Sequence, residues 1–151
     1  MTGASADALG FIRLTEVGPR DGLQNEKRMV STAAKVEFVD LLSAAGFPEI
    51  EVSSFVSPKW VPQLGDAADV FARIQRRPGT VYSALVPNER GMDAALAARV
   101  DKVAIFAAAS EGFSAANTGG TIAEVVARFV PVVRAAHAAR IPVRAYVSCV
   151  V

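Results

Sequence analysis

The chain has 151 residues, 52% of them hydrophobic, and its 16 Lys+Arg stand against 15 Asp+Glu for a formal net charge of +1. That length can bury a sizeable core in one domain spanning 1–151, while the balanced charge and 7% aromatic content give no basic face and no stacking platform for nucleic acid. The single cysteine, Cys149, excludes an internal disulfide, no apolar run reaches the ~18 residues of a membrane span, and MTGASADALG lacks the order of a targeting leader, so a cytoplasmic protein without nucleic-acid or membrane partners is expected.

In chain order, FIRLTEV (11–17) is the first β-rich run, and it leads into EVGPRDGLQNE (16–26). Ser31 can cap a helix carrying Val36, Val39, Leu42 and Ala45 on one face, with Gly46 as its stop. EIEVSSF (49–55) is the second β-rich run, and a helix over roughly 66–76 follows, ending before Pro78-Gly79. TVYSALV (80–86) is the third run, with a helix from near Asn88 to about Arg99. KVAIFAAA (102–109) is the fourth, and Thr121 and Glu124 then have capping-box spacing ahead of Val125, Phe129, Val132, Val133 and Ala136. Pro131 falls inside that stripe and predicts a kink or break. IPVRAYVSCV (141–150) is the fifth run.

Alternating strands and helices, with strands nearly continuously apolar in part, predict an α/β fold around a parallel sheet. No Gly-rich nucleotide fingerprint follows the first run. A (β/α)8 barrel takes about 250 residues, and this chain amounts to about five-eighths of one. The expectation is a partial TIM (β/α)8-type barrel of about five parallel strands and four helices, with strands in sequential order and helices on the convex face.

Chemistry in such folds gathers at the C-terminal ends of the strands. Arg20, Asp21 and Gln24 follow the first run; Glu51, Ser53 and Ser54 lie in the second. Asn88 follows the third, Ser110-Glu111 the fourth, and Tyr146 and Ser148 lie in the fifth. A buried glutamate needs a cationic partner, and Arg20 is the candidate for Glu51; the alternative is that Glu51 points outward at a helix N-terminus. Asp21 is either a hard oxygen ligand for a divalent cation or an ordinary Asp-Gly turn. His137 reads as a solvated helix residue and Cys149 as a small core residue. Trp60, in the rigid SPKWVPQ loop, reads as a lid or a substrate wall.

EVGPRDGLQNE with IEVSSFVSPKWVPQLGD resembles the hydroxymethylglutaryl-CoA lyase family of metal-dependent barrel lyases, which share an R-D-G-x-Q motif. ALVPNERGMDAAL, KVAIFAAASEGFSAANTGGTIAE and IPVRAYVSCV extend the resemblance over about residues 11 to 151. It implies cleavage of 3-hydroxy-3-methylglutaryl-CoA to acetyl-CoA and acetoacetate, as in leucine degradation, with Mg2+ or Mn2+ and an acyl-CoA substrate. It also implies roles. Asp21 matches the metal-ligating aspartate and Arg20 the arginine on the thioester oxygen. Glu51 matches the active-site acid that orients that arginine. Gln24, Ser54 and Tyr146 match substrate-pocket positions.

The family's H-x-H metal ligands, its late glycine-rich loop with cysteine and its late asparagine ligand have no match here. The expectation is therefore the N-terminal five-eighths of a lyase barrel, inactive alone and with open edges that invite association, a homo-oligomer included. A related metal-dependent acyl-CoA lyase or condensing synthase, or a non-catalytic barrel remnant, are the alternatives.

Overall fold

A computed structural model describes residues 12–150 of the chain. The readings that involve residues 1–11 and Val151, including the start of the first β-rich run at Phe11, lie outside the described residues. Four strands form one parallel sheet in sequential order: β1 (Glu49–Ser54), β2 (Val81–Leu85), β3 (Lys102–Ala108) and β4 (Val143–Ser148). The helices are α1 (Thr32–Ala44), α2 (Ala67–Arg73), α3 (Glu89–Ala97), α4 (Glu111–Thr118) and α5 (Ile122–Ala138).

Side chains alternate across a strand, and here the two sets differ sharply. Ile50, Val52, Tyr82, Ala84 and Val103 share one buried cluster with Val39 of α1, Val70 and Phe71 of α2, Met92 and Ala95 of α3, and Val125, Phe129 and Val132 of α5. Those helices therefore cover a single face. Sequential parallel strands with helices on one side form a segment of a singly wound barrel; a doubly wound sheet would reverse its strand order and take helices on both faces. No helix among the described residues is long and apolar enough to cross a membrane.

The helix starts obey the sequence. Ser31 Oγ accepts the Ala34 N–H at 3.3 Å, and Asn88 Oδ1 accepts the Gly91 N–H at 3.0 Å. The Thr121–Glu124 capping box closes in both directions. Gly46 follows α1 with φ +85°, which only glycine adopts freely.

Five expectations change. The run 12–17 forms no strand; a single parallel bridge joins Glu16 to Ile50, through Glu16 N–H to Glu49 O at 2.9 Å and Glu51 N–H to Glu16 O at 2.8 Å. The Glu16 side chain instead folds forward to accept the Gly18 N–H at 2.6 Å, so the backbone turns away. The second predicted helix is shorter, because Ile74 is already extended. A fifth helix, α4, lies between Ser110, whose hydroxyl caps it, and left-handed Gly119. Of the kink or break expected at Pro131, the break is absent, since α5 runs through all 17 residues. A proline inside a helix costs about 3 kcal/mol or more. Burying each large apolar side chain returns roughly 1.5–3 kcal/mol, and Val125, Phe129 and Val132 are all buried. Finally, Cys149 is exposed, with φ 59°, rather than a core residue.

Candidate active site

The face of the sheet away from the helices carries Glu49, Glu51 and Ser53 from β1, Ser83 from β2, Lys102 from β3, and Arg144, Tyr146 and Ser148 from β4. A buried carboxylate there is stable only if paired and hydrogen-bonded. Glu51 is fully buried and accepts two bonds: Arg20 Nε at 2.5 Å on Oε1, and the Tyr146 hydroxyl at 2.8 Å on Oε2. The reading of Glu51 as facing outward is thus excluded, and its pairing with Arg20 is present.

A five-residue π-type turn, Gly18–Gly22, brings Arg20 to that carboxylate. The Val17 carbonyl accepts the N–H groups of Arg20 (3.1 Å), Asp21 (2.7 Å) and Gly22 (3.4 Å). Crowding favours glycine at 18: a Cβ there would sit 2.8 Å from Glu16 Oε1, displacing the carboxylate that accepts the Gly18 N–H, and 3.3 Å from the Phe38 ring. Arg20 Nη1 also donates to Asp21 Oδ1 at 2.6 Å. Its Nη2 has no hydrogen-bond partner among the described residues. Arg20 is 13% exposed and Asp21 57%, so the guanidinium is walled in while the aspartate faces solvent.

Tyr146 is half-buried, and its phenol is pushed above the ordinary value of 10.0 by burial first and then by the Glu51 carboxylate that accepts its hydrogen bond. Arg144 opposes that effect, with Nη1 3.4 Å from the phenol oxygen and its guanidinium carbon 5.9 Å from the ring centroid. For Arg144 burial pulls downward, yet Tyr146 and the carboxylates of Glu49 and Glu51 outweigh it and leave it raised.

Sequence reading singled out Glu51 and passed over Glu49, two residues earlier in EIE and therefore on the same face. Glu49 is fully buried as well. It accepts Lys102 Nζ at 2.9 Å and lies 3.1 Å from Arg144 Nη1, with the Ser83 hydroxyl at 3.5 Å. Arg144 Nη1 also donates to Thr15 Oγ1 at 2.7 Å. Lys102, Arg144 and Glu49 had a signal in the sequence, namely charges at inward positions of otherwise apolar runs.

The remaining predicted residues lie elsewhere. Ser54 is buried, donates to the Leu85 carbonyl at 3.3 Å and accepts the Val56 N–H at 3.2 Å. Gln24 is exposed and lines a groove of about 360 Å³ with Lys27, Met29, Trp60 and Gln63. Trp60 is 83% exposed at its edge. The groove's two loops are joined by Gln63, which accepts the Val30 N–H at 3.0 Å and donates to the Arg28 carbonyl at 2.9 Å. Buried Lys35 of α1 donates to the Gln63 carbonyl and, at 2.7 Å, to Asp66. His137 is exposed on α5. Among the described residues no three His, Cys, Asp or Glu side chains gather as a metal-binding group.

Known proteins place this geometry. Residues 11–150 match the HMGL-like family. The chain is 57% identical over 139 residues to the 3-hydroxy-3-isohexenylglutaryl-CoA/hydroxy-methylglutaryl-CoA lyase of Pseudomonas aeruginosa, covering 92% of this chain and 46% of that protein. The solved HMG-CoA lyase of Brucella melitensis superposes with a TM-score of 0.91 at 53% identity, over 93% of this chain and 50% of the other. An HMG-CoA lyase from Acinetobacter baumannii, solved in complex with coenzyme A and 3-methylmalate, gives 0.85 at 36% identity over 89% of this chain and 44% of the other. The chain spans about half the length of the relatives it matches, and its sheet is a partial barrel. With the match running across every described element, the chain belongs to the HMGL-like family of lyases.

Proposed function

We propose that this chain supplies the enolate-stabilising part of a site that cleaves 3-hydroxy-3-methylglutaryl-CoA to acetyl-CoA and acetoacetate. The observation that carries the reading is the Arg20 guanidinium, fixed by Glu51 at 2.5 Å at the polar end of the sheet, with Nη2 unpartnered among the described residues. In the cleavage the tertiary hydroxyl loses its proton and becomes the ketone of acetoacetate. The adjacent C–C bond breaks, its electron pair passes into the thioester as an enolate, and the enolate carbon then takes up a proton, balancing the one lost from the hydroxyl, to give acetyl-CoA. Arg20 donates to the thioester oxygen where that charge collects, and Glu51 and Asp21 hold it so that little reorganisation is needed. Tyr146 occupies the second oxygen of Glu51 and limits the carboxylate's rotation. Gln24 and Trp60, along the neighbouring groove, suit the remainder of an acyl-CoA.

The expected Mg2+ or Mn2+ does not fit the described residues on their own. Such cations are held by several oxygens at once. Asp21 offers one carboxylate, already in contact with Arg20, and no cluster of three candidate ligands exists among the described residues. Asp21 is thus one donor to a cation site, not a site.

The test is to graft residues 12–150 in place of the matching region of the Pseudomonas aeruginosa relative and assay acetoacetate release. The graft is expected to be active and the 151-residue chain alone inactive. Arg20→Gln in the graft is expected to lower turnover by about 10²–10³, as for other lost oxyanion-type contacts. Near-normal turnover in that variant would remove Arg20 from the chemistry. The relative's name includes a 3-isohexenyl substrate, and assaying both thioesters decides whether a longer substituent is preferred.

A further inference from the structure

The polar face contains a second buried carboxylate that the proposed cleavage does not use, and it is joined to the first by an unbroken series of contacts. Glu49 binds Lys102 at 2.9 Å and Arg144 at 3.1 Å. Arg144 reaches the Tyr146 oxygen at 3.4 Å, Tyr146 donates to Glu51 at 2.8 Å, and Glu51 accepts Arg20 at 2.5 Å. We infer that Glu49 is a positioning residue for the Arg20 site: it holds Arg144 and Lys102 on its own carboxylate, which leaves both oxygens of Glu51 to Arg20 and Tyr146.

The electrostatics compel a division of this kind. Lys102 is 14% exposed and Arg144 25%, so neither cation is well solvated, and both carboxylates have no exposed surface. A largely desolvated cation left without a carboxylate turns to the nearest one, because its lost hydration is otherwise uncompensated. With Glu49 removed, that nearest carboxylate is Glu51, on the same strand face, and Arg144 is already in contact with the tyrosine that bonds it. Arg144 would then compete with Tyr146 and Arg20 for Glu51. Thr15, which accepts Arg144 Nη1 at 2.7 Å, is neutral and does not replace the lost charge.

This inference rests on the proposed role of Arg20, but its test needs no turnover. The chain has two tyrosines, and Tyr82 is buried on the opposite face, with its hydroxyl bonded to Ser43. Tyrosinate absorbance of the whole chain, compared with Tyr146→Phe, isolates the titration of Tyr146, with circular dichroism marking the range over which the chain stays folded. The charged groups facing that phenol are Glu51 from β1 and Arg144 from its own strand, with Glu49 and Lys102 behind them. In Glu49→Gln, Arg144 is freed from Glu49 and shifts toward Glu51 and the phenol, and the Tyr146 midpoint is expected to fall by about one pH unit, the size of effect a close cation has on a neighbouring acid. In Glu49→Gln/Arg144→Met the competing cation is gone, and the midpoint is expected to return to the parent value or above it. The double variant removes one buried charge of each sign, so it serves even if Glu49→Gln fails to fold. A folded Glu49→Gln with an unchanged midpoint, or a double variant whose midpoint lies below the parent's, overturns the inference. In the active graft, Glu49→Gln is expected to lower kcat more than it raises KM, with rescue in the double variant. A graft with no lyase activity and an intact titration result would defeat the functional reading alone.

Discussion

Ile50 and Glu51 are adjacent in the chain and both are fully buried, yet they rest on opposite kinds of support. Ile50 packs into the cluster beneath the helices, where any apolar group of similar size would serve. Glu51 is held by two specific donors, each from a different part of the chain, Arg20 31 residues before it and Tyr146 95 residues after it. The helix-covered face gains stability from area. The polar face gains definition from pairing, because every carboxylate there fixes the position of a cation. The candidate site depends on the second property, and the first supplies the platform on which it stands.

The largest effect is expected from breaking a pair on the polar face. Glu51→Ala leaves Arg20 and Tyr146 beside an empty, buried space, and should cost about 3–5 kcal/mol in urea unfolding. Replacing both partners, Glu51→Met with Arg20→Met, should recover most of that loss, since an apolar pair of similar volume is often as stable as a buried ion pair. If the double variant is no more stable than Glu51→Ala, pairing is not what governs this face. On the other face Ile50→Ala should cost about 2–5 kcal/mol through the cavity it leaves, and no change on the polar face should relieve it. Recovery of Ile50→Ala by a polar-face substitution would show that the two faces are energetically coupled.

A smaller effect belongs to the rim, where Lys35 ties α1 to the loop after β1. Burial tends to raise Asp66, but its bonds to Lys35 and Thr32 outweigh burial and leave it below the ordinary 3.8. A carboxyl lowered by folding stabilises the fold above its unfolded value, and that contribution is lost as pH falls through the folded value. The melting temperature should therefore drop as pH is lowered from about 4, and Asp66→Asn should be less stable at neutral pH but flatter across that acidic range. A parallel decline in both proteins would remove Asp66 from the acid response.

The strands' order, the capping residues Ser31, Asn88 and Thr121, and the Arg20–Glu51 pair were legible in the sequence, since each rests on a local pattern or on the rarity of a charge inside a strand. Several features were not, four of them instructive. The run 12–17 has strand composition but pairs only through Glu16, because ladder formation depends on neighbours and not on propensity. The segment EGFSAANT gives little apolar periodicity, so α4 escaped notice despite Ser110 before it and Gly119 after it. Pro131 reads as a kink or a break, and the buried stripe around it explains why α5 continues through it. Glu49 was hidden by its proximity to Glu51: one glutamate in a strand reads as a site, whereas two at a spacing of two read as a site and its support only once Lys102 and Arg144 are seen to converge on the first.

The groove lined by Gln24 and Trp60 offers a way to watch binding. Trp60 is the chain's one tryptophan and stands 83% exposed at the groove's edge, beside Pro62 and Gln63. An indole so placed emits as a water-surrounded fluorophore. Any molecule that fills the roughly 360 Å³ beside it withdraws that water and shifts the emission to shorter wavelength. The protein thus contains a built-in optical probe at the edge of this groove, with no second indole to blur the signal, and occupancy of the groove can be followed in unlabelled material.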